Sequence, residues 1–329
     1  MGRARLVIHA GTHKTGTTFI QNSLAAASVR LRRHGILYPV MGPAGGQHGL
    51  TTLWAPRMRA YASPAEAEAG WQAVAEGARD HHTVLVSSEE FGSAHPDRLD
   101  LAAIRARTRF DEIVVVCFLR NQVDLLQSIY CEASRRQPPP PPPEFMAAAM
   151  ATGIAWDVAA DFAILEREVF AGAAGIRYVD YDRAARAPGG LIAALLAAGG
   201  LDPRLAEEIA PAEEAAANRS ANPLAVWAAN MVSGERVATR PLLARCQRLV
   251  AHHAPGPASL WERAERQRIV EHFAPLNAAF EAQVRARQPD FTLTPHAPEA
   301  ERVSRGALDV RFWNHLARDI YNGRLPEAA

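Results

Sequence analysis

Short apolar runs along the chain predict the strands of a buried sheet. Residues 5–9, 83–87, 113–119 and 176–181 are rich in β-branched side chains, and each run lies near a segment with helical periodicity. Residues 36–40 predict a short extra strand. Near-continuous apolar strands that alternate with helices are typical of a parallel sheet covered on both faces.

Helical spacing follows the strands. Ile20, Leu24, Ala27 and Leu31 recur at intervals of 4, 3 and 4 residues after the first strand, and residues 123–133 predict a second helix. The six prolines at 138–143 should stop that helix and form a stiff exposed spacer, neither helix nor strand. Beyond residue 157 the pattern is mostly helical, with helices predicted at 157–170, 191–198, 223–235, 241–253 and 311–321.

These elements predict an α/β fold: a three-layer sandwich with a central parallel sheet flanked by helices and a mostly helical C-terminal extension. The sequence contains no internal repeat and no clear linker. We therefore expect residues 1–329 to form a single domain, with about 203–329 as its helical extension.

Composition narrows the functional classes. The 329 residues are 48% hydrophobic and 22% charged, and 36 basic against 35 acidic side chains leave a net charge of +1. Such a balance gives no general attraction to nucleic acid or to an acidic membrane. Cys117, Cys131 and Cys246 are isolated, as expected of buried thiols in a reducing compartment. No signal peptide or membrane helix is evident, so we expect a cytoplasmic protein without stable membrane insertion.

One basic residue differs from all the others. Lys14 is the single lysine in the sequence, and the other 35 cations are arginines. A lysine that survives in such a composition suggests a task that arginine performs badly. Lysine carries a compact ammonium that fits inside a tight loop, whereas arginine carries a broad planar fork.

Lys14 lies in a loop suited to binding an anion. The loop separates the first strand from the first helix, its glycines let the backbone curl, and the new helix directs unpaired amides and its positive dipole end toward the same point. Threonine hydroxyls add further donors. The predicted phosphate or sulfate cradle consists of Gly11, Thr12, His13, Lys14, Thr15, Gly16, Thr17 and Thr18.

The order of residues in the loop distinguishes it from common nucleotide-binding motifs. In a Walker A loop the lysine follows the second glycine, whereas here Lys14 precedes Gly16. A Rossmann GxGxxG is also absent after this strand. The run GTHKTGTTFIQ instead resembles the K-x-G-[TS]-[TS] loop of sulfotransferases that use 3'-phosphoadenylyl sulfate, and especially the bacterial carbohydrate sulfotransferase-related group. The resemblance implies a P-loop-type fold and binding of the donor's 5'-phosphosulfate.

A second motif agrees with that resemblance. Arg120 ends the predicted strand 113–119, and Ser128 follows eight residues later in the next helix. In the family an arginine and a serine at this spacing bind the donor's 3'-phosphate. The family's late Arg-Lys-Gly segment is missing here, and Arg219 and Ser220 are candidates to replace it, with a solvated loop as the alternative.

Transfer to an acceptor requires a base. Strand 83–87 is followed by Ser88-Glu89-Glu90, at the same predicted sheet edge as Lys14 and Arg120. The family resemblance implies Glu89 as the general base, with Glu90 as the alternative and His13 or His48 as further candidates. A carboxylate of ordinary pKa is a weak base at pH 7, so burial or nearby apolar groups must raise the pKa of Glu89 if it is to serve.

The function predicted from the sequence is transfer of a sulfuryl group from 3'-phosphoadenylyl sulfate to an acceptor hydroxyl or amine, leaving adenosine 3',5'-bisphosphate and needing no metal. A carbohydrate or glycolipid acceptor is implied by the resemblance alone, and the oligomeric state is not encoded in any readable pattern. Two alternatives remain: a P-loop phosphotransferase or NTPase, and a nucleotide-binding module without catalysis.

Overall fold

The computed structural model describes residues 4–41, 45–95, 99–171, 175–209, 221–296 and 302–323. The chain divides into two compact units, each assembled from separate stretches of sequence. The first comprises Met1–Arg120, Asp157–Asn218 and Leu276–Thr294, and the second comprises Asn121–Trp156, Arg219–Pro275 and Pro295–Ala329.

The first unit contains a five-stranded parallel sheet. The strands of the chain are β1 (Arg5–His9), β2 (Ile36–Leu37), β3 (Thr83–Ser87), β4 (Glu112–Leu119), β5 (Ile154–Ala155), β6 (Val158–Ala159) and β7 (Ile176–Asp180). The sheet has the strand order β2-β3-β1-β4-β7, so that β1 lies at its centre. The short strands β5 and β6 are not part of this sheet.

Helices account for most of the remaining ordered chain. They are α1 (Thr17–Ala26), α2 (Ser28–Arg33), α3 (Pro64–Gly77), α4 (Leu101–Thr108), α5 (Gln122–Ala133), α6 (Pro142–Thr152), α7 (Tyr181–Ala184), α8 (Gly190–Ala198), α9 (Ala206–Ile209), α10 (Pro223–Ser233), α11 (Arg240–His253), α12 (Arg263–Arg285) and α13 (Val310–Tyr321).

Both faces of the sheet are buried, which explains why its central strands carry apolar residues at consecutive positions and not only at alternate ones. Val7 pairs in register with Leu85 and Val114, and these side chains share one core with α1 and α8. On the other face the ring of Tyr178 in β7 lies 5.0 Å from that of Phe280 in α12. Helices therefore cover the sheet on two sides.

The second unit is built from helices. Leu224 and Ala228 of α10 pack with Leu249 of α11 and Phe312 of α13 in one apolar core. The indole of Trp261 is fully buried and donates to the carbonyl of Val123 at 3.0 Å. Apolar packing and a satisfied indole donor together stabilise this unit.

The predicted fold class is confirmed, since a central parallel sheet is flanked by helices and the C-terminal part is mostly helical. The strands at 5–9 and 83–87 match in full, and those at 113–119 and 176–181 match within one residue. The extra strand is shorter than predicted and ends at Leu37. Whether the two units form one domain of residues 1–329 stays a prediction.

Two local predictions are wrong. The proline run is not excluded from helices, because Pro142 and Pro143 open α6. Proline is tolerated in a first helical turn, where its missing N–H would have had no partner. Residues 157–170 are not one helix, because β6 occupies Val158–Ala159 and a short π-helix occupies Leu165–Val169. In the described part of the chain, no helix is long and apolar enough to cross a bilayer.

Candidate functional site

The site lies where three central strands end. His9, the last residue of β1, is in register with Ser87, the last residue of β3, and β4 runs on to Leu119. The chain segments that leave these strands therefore meet at one edge of the sheet. In open α/β sheets this carboxyl edge is where ligands bind.

The loop after β1 curls because three of its residues adopt left-handed backbone conformations. Gly11 has φ 82°, Lys14 has φ 65° and Gly16 has φ 76°. Gly16 is the N-cap of α1, and no described side chain caps this helix or places an acidic group in its first turn. Within the described part of the chain, the first amides and positive dipole end of α1 thus have neither a side-chain cap nor a first-turn acid, which suits the loop to an anion.

The threonines of the loop divide into two kinds. Thr12 Oγ1 donates to the carbonyl of Phe118 at 3.3 Å, and Thr15 Oγ1 donates to the carbonyl of Thr12 at 2.5 Å. Both hydroxyls therefore hold the loop in shape. Thr17 and Thr18 lie in the first turn of α1, with Thr17 buried and Thr18 exposed.

Arg120, the residue after β4, is hydrogen-bonded to the backbone of the loop. Its Nη1 donates to the carbonyl of Lys14 at 3.1 Å. The guanidinium also lies over the ring of Tyr181, with its carbon 5.1 Å from the ring centroid. Arg120 is thus held between a stacking aromatic and the backbone of the one lysine.

Glu89 lies against the same loop from the β3 side. A Cβ on Gly11 would come within 3.0 Å of Glu89 Cα and Cβ, so the two segments touch at backbone distance. Its carboxylate Oε2 accepts from Gln21 Nε2 at 2.9 Å and lies 3.9 Å from His48 Nδ1. His48 Nδ1 also lies 2.9 Å from Ser88 Oγ.

The pKa of Glu89 is lowered, so the raised pKa that the sequence argument requires of an effective base is not found. Burial does act to raise this pKa, but positive charge on His13 and His48 and the hydrogen bond from Gln21 act together in the opposite direction and prevail. Glu89 is therefore ionised at neutral pH. Part of the lowering depends on protonated histidines and disappears when they are neutral.

Glu90 has a different environment. Its Oε2 accepts from Arg57 Nη2 at 3.1 Å, and its Oε1 lies 3.6 Å from His13 Nε2. The same Arg57 nitrogen donates to Ser93 Oγ at 2.9 Å. Glu90 is committed to an ion pair with arginine, whereas the hydrogen bond to the Glu89 carboxylate comes from a neutral amide.

A further histidine, His9, is buried at the end of β1 and interacts electrostatically with Glu89. His9 is fully buried, and its Nδ1 lies 2.7 Å from Ser87 Oγ. Its Nε2 has no hydrogen-bond partner among the described residues. Burial lowers the pKa of His9 to about 4, and the charge of Glu89 opposes that shift. His9 is therefore neutral at physiological pH.

Most of the residues selected from the sequence come together here. The loop contacts Arg120 and Glu89, and His13 and His48 lie beside the two glutamates. Ser128 lies half-buried on α5 in the second unit, and its role stays a prediction. Arg219 and Ser220 lie outside the described residues.

Sequence reasoning missed four neighbours of the site: Gln21, Arg57, Tyr181 and His9. Only Gln21 carried a readable signal, since it lies three residues before Leu24 and so shares the apolar face of the predicted helix. A polar side chain on a core-facing surface needs a partner. No local sequence pattern indicates a role for Arg57, Tyr181 or His9, because the residues they contact are distant in sequence.

Among the described residues, no group of three or more histidine, cysteine, aspartate or glutamate side chains is arranged to hold a metal ion. The expectation that the reaction needs no metal stays a prediction.

Comparison with solved structures returns sulfotransferases. The crystal structure of a sulfotransferase from Alicyclobacillus acidocaldarius matches with a TM-score of 0.47 and 15% identity, covering 87% of this chain and 97% of the other. The sulfotransferase domain of the olefin synthase from Synechococcus matches with a TM-score of 0.34 and 14% identity, covering 82% and 94%. No protein-family model and no curated protein matches the chain. At such low identity, this chain's own residues must carry the functional assignment.

Proposed function

We propose that this protein is a sulfotransferase that takes a sulfuryl group from 3'-phosphoadenylyl sulfate. The observation that carries the proposal is the loop between β1 and α1, which combines an uncapped helix start with the sequence's single lysine and is approached by Glu89. The lysine precedes the second glycine of the loop, as in the sulfotransferases and unlike a Walker A motif.

The residues present fit such a donor. The first-turn amides of α1 and the ammonium of Lys14 suit its phosphosulfate group, because both supply positive charge without needing a metal. Arg120 adds a guanidinium at the same edge of the sheet, and its Nη1 donates to the loop carbonyl of Lys14. We propose that Arg120 holds the 3'-phosphate, together with Ser128 as the sequence resemblance implies.

The bound donor supplies the sulfuryl group and a phosphate leaving group on which negative charge increases. Lys14 places a compact positive charge in the loop, where it stabilises that charge more strongly in the transition state than in the ground state. Glu89 accepts the proton of the acceptor hydroxyl or amine on its carboxylate. A positioned general base contributes about 10²- to 10⁴-fold to the rate, and the lowered pKa of Glu89 places its contribution at the low end of that range.

The choice of Glu89 over Glu90 rests on their partners. Glu90 is paired with Arg57, and a proton placed on it would have to break that ion pair. Glu89 has no arginine or lysine among its described contacts. His48 is a weaker candidate, because a Cβ on Gly46 would come within 2.8 Å of its Nε2, so that nitrogen points into the protein.

The acceptor is proposed on resemblance alone, as a hydroxyl or amine of a carbohydrate or glycolipid. No nucleic-acid partner is expected, since the net charge is +1.

Calorimetric titration with nucleotides tests the proposal. The purified protein is titrated with adenosine 3',5'-bisphosphate, with ADP, and with ATP plus Mg²⁺, and the bisphosphate series is repeated with EDTA. We expect the bisphosphate to bind most tightly and its affinity to be unchanged by EDTA. A preference for ATP with Mg²⁺ would instead indicate a phosphotransferase or NTPase, and tight binding without any turnover of 3'-phosphoadenylyl sulfate would indicate a binding module.

A further inference from the structure

We infer that Gln21 is a positioning residue that fixes the Glu89 carboxylate in the orientation needed to accept the acceptor's proton. The inference rests on the proposed function, in which Glu89 is the base. Gln21 lies on α1, the helix that begins at the anion-binding loop, and its Nε2 donates to Glu89 Oε2 at 2.9 Å. One helix therefore bears both the cradle for the donor and the group that holds the base.

The Gln21 side chain is itself confined, which a positioning residue requires. Gln21 is only 2% exposed, and its neighbours Ile20 and Leu24 on α1 are fully buried. A Cβ on Gly46 would come within 2.7 Å of Gln21 Cδ, so the absence of a side chain at Gly46 makes room for the Gln21 amide. The amide is enclosed between this glycine and Glu89, and it has little freedom to turn away.

The contact is selective for one of the two carboxylate oxygens. Gln21 donates to Oε2, and His48 Nδ1 also approaches Oε2, at 3.9 Å. With Oε2 held by the Gln21 amide, rotation of the carboxylate is restricted, and the orientation in which it meets the acceptor's proton is more narrowly defined. A loose carboxylate would lose this orientation, and misplacement by about 1 Å costs roughly 10²-fold in rate.

A neutral donor suits this task better than a cation. The arginine beside Glu90 forms an ion pair that opposes protonation, whereas an amide supplies direction with a smaller effect on basicity. The Gln21 amide carries no charge at any pH, so its orienting effect does not depend on the charge of His13 or His48.

Two substitutions and a matched control test the inference. Gln21→Met keeps the length of the side chain and removes the donor, and Gln21→Glu keeps its shape and adds a like charge. Ser23→Ala is the control: Ser23 is buried on the same helix, and its hydroxyl has no hydrogen-bond partner among the described residues. Circular dichroism and calorimetric titration with adenosine 3',5'-bisphosphate establish that each variant is folded and binds.

The acceptor need not be known, because water can serve as acceptor in slow hydrolysis of 3'-phosphoadenylyl sulfate. The water oxygen bonds to sulfur, the bond from sulfur to the 5'-phosphate oxygen breaks, and Glu89 takes a water proton that then passes to solvent. The products are sulfate and adenosine 3',5'-bisphosphate. The rate is measured from pH 4 to pH 9 at several donor concentrations. The Glu89 carboxyl is titrated in parallel by ¹³C NMR of glutamate-labelled protein, its signal assigned by its loss in Glu89→Gln.

We expect Gln21→Met to lower kcat for hydrolysis about tenfold or more, with KM for the donor and bisphosphate affinity within about twofold of the parent. The Glu89 carboxyl should titrate at higher pH than in the parent, and at still higher pH in Gln21→Glu, with the acid limb of the rate profile moving in the same direction. Ser23→Ala should match the parent in every readout.

Parent-like kcat and an unmoved Glu89 titration in Gln21→Met would overturn the inference while leaving the proposed function intact. A loss of hydrolysis that only parallels a loss of bisphosphate affinity would also overturn it, since Gln21 would then be shaping the cradle. If the parent protein neither binds the bisphosphate nor hydrolyses the donor, the proposed function fails and the positioning role fails with it.

Discussion

Arg120 Nη1 donates to the main-chain carbonyl of Lys14 at 3.1 Å. The arginine that ends β4 therefore supports the backbone from which the single lysine extends, and its guanidinium is steadied by the ring of Tyr181 at 5.1 Å. Because Lys14 has a φ of 65°, its backbone conformation is one that non-glycine residues seldom adopt without support. Arg120 is thus part of the loop's framework as well as a candidate phosphate ligand.

Because Arg120 both holds the loop and is a candidate phosphate ligand, Arg120→Ala should weaken the binding of nucleotides with and without a 3'-phosphate, to different extents. Binding of ADP, which lacks a 3'-phosphate, should weaken about tenfold, because a charge-assisted hydrogen bond that holds the loop is worth about 1.5–3 kcal/mol. Binding of adenosine 3',5'-bisphosphate should weaken further. Calorimetric titration measures both. Arg177→Ala is the control, since that guanidinium donates to the neighbouring carbonyl of Ile176. Unchanged ADP affinity in Arg120→Ala would show that the loop keeps its conformation without the hydrogen bond from Arg120.

Lys14 can be tested with the loop conformation preserved. Lys14→Gly suits a φ of 65° and removes the whole side chain with its ammonium, so the protein should stay folded and lose hydrolysis of 3'-phosphoadenylyl sulfate by 10²-fold or more. Lys14→Arg keeps the charge on a broader group, and we expect at least a tenfold loss. Hydrolysis rates and circular dichroism measure these effects. Normal activity in Lys14→Arg would contradict the argument that a compact charge is needed.

The close approach of Gly11 to Glu89 predicts a steric penalty beyond backbone strain. Gly11→Ala introduces a Cβ about 3.0 Å from Glu89 Cα at a φ of 82°. Gly190→Ala is the matched control, because Gly190 has a φ of 57° and open space around it. Each substitution costs about 1–2 kcal/mol from strain alone, and Gly11→Ala should cost at least about 1 kcal/mol more. Urea unfolding decides this, and equal costs would mean that the two segments separate easily.

The buried His9 predicts a pH-dependent stability. Its pKa is lowered to about 4 by burial, against about 6.5 in the unfolded chain. The unfolded state therefore binds a proton first, so the stability contributed by neutral His9 is present above about pH 6.5 and is lost as pH falls through about 4. The total loss is about 3 kcal/mol.

Urea unfolding at intervals from pH 4 to pH 7 measures this change. His9→Asn retains a polar atom for Ser87 and removes the titrating group, and its free energy of unfolding should vary less with pH than that of the parent. Parallel curves for the two proteins would show that His9 is not the titrating group.

The features predictable from sequence are those that local pattern determines. Continuous apolar runs indicate strands buried on both faces. The glycine spacing and single lysine of the loop from Gly11 to Thr18 indicate an anion-binding site. Parallel strands bring their carboxyl ends to one edge whatever the intervening loops do. That rule is sufficient to predict that Glu89 lies near Lys14.

Features that depend on packing between distant segments could not be predicted in this way. The sign of the Glu89 pKa shift depends on His13, His48 and Gln21 together, and burial alone suggested the wrong direction. The pairing of Glu90 with Arg57 joins residues 33 positions apart through a loop with no periodic pattern. Secondary structure shows the same limit, since the pattern of residues 157–170 predicts one helix where the structure has the strand β6 and a short π-helix.

The neighbouring glutamates allow a matched pair of substitutions. Glu89→Gln removes the proposed base and should lower hydrolysis of 3'-phosphoadenylyl sulfate by about 10²-fold or more, with bisphosphate affinity within about twofold of the parent. Glu90→Gln removes one partner of an ion pair that is only partly exposed, at 17% for Glu90 and 26% for Arg57. It should lower stability by about 1 kcal/mol and leave most of the hydrolysis activity.

Rates, calorimetric titration and urea unfolding of both variants give the comparison. Because the two changes are chemically identical and adjacent in sequence, a general effect of losing one negative charge near Lys14 would appear equally in both. A larger loss of activity in Glu90→Gln would transfer the role of base to Glu90 and make its ion pair with Arg57 the device that holds the base in place.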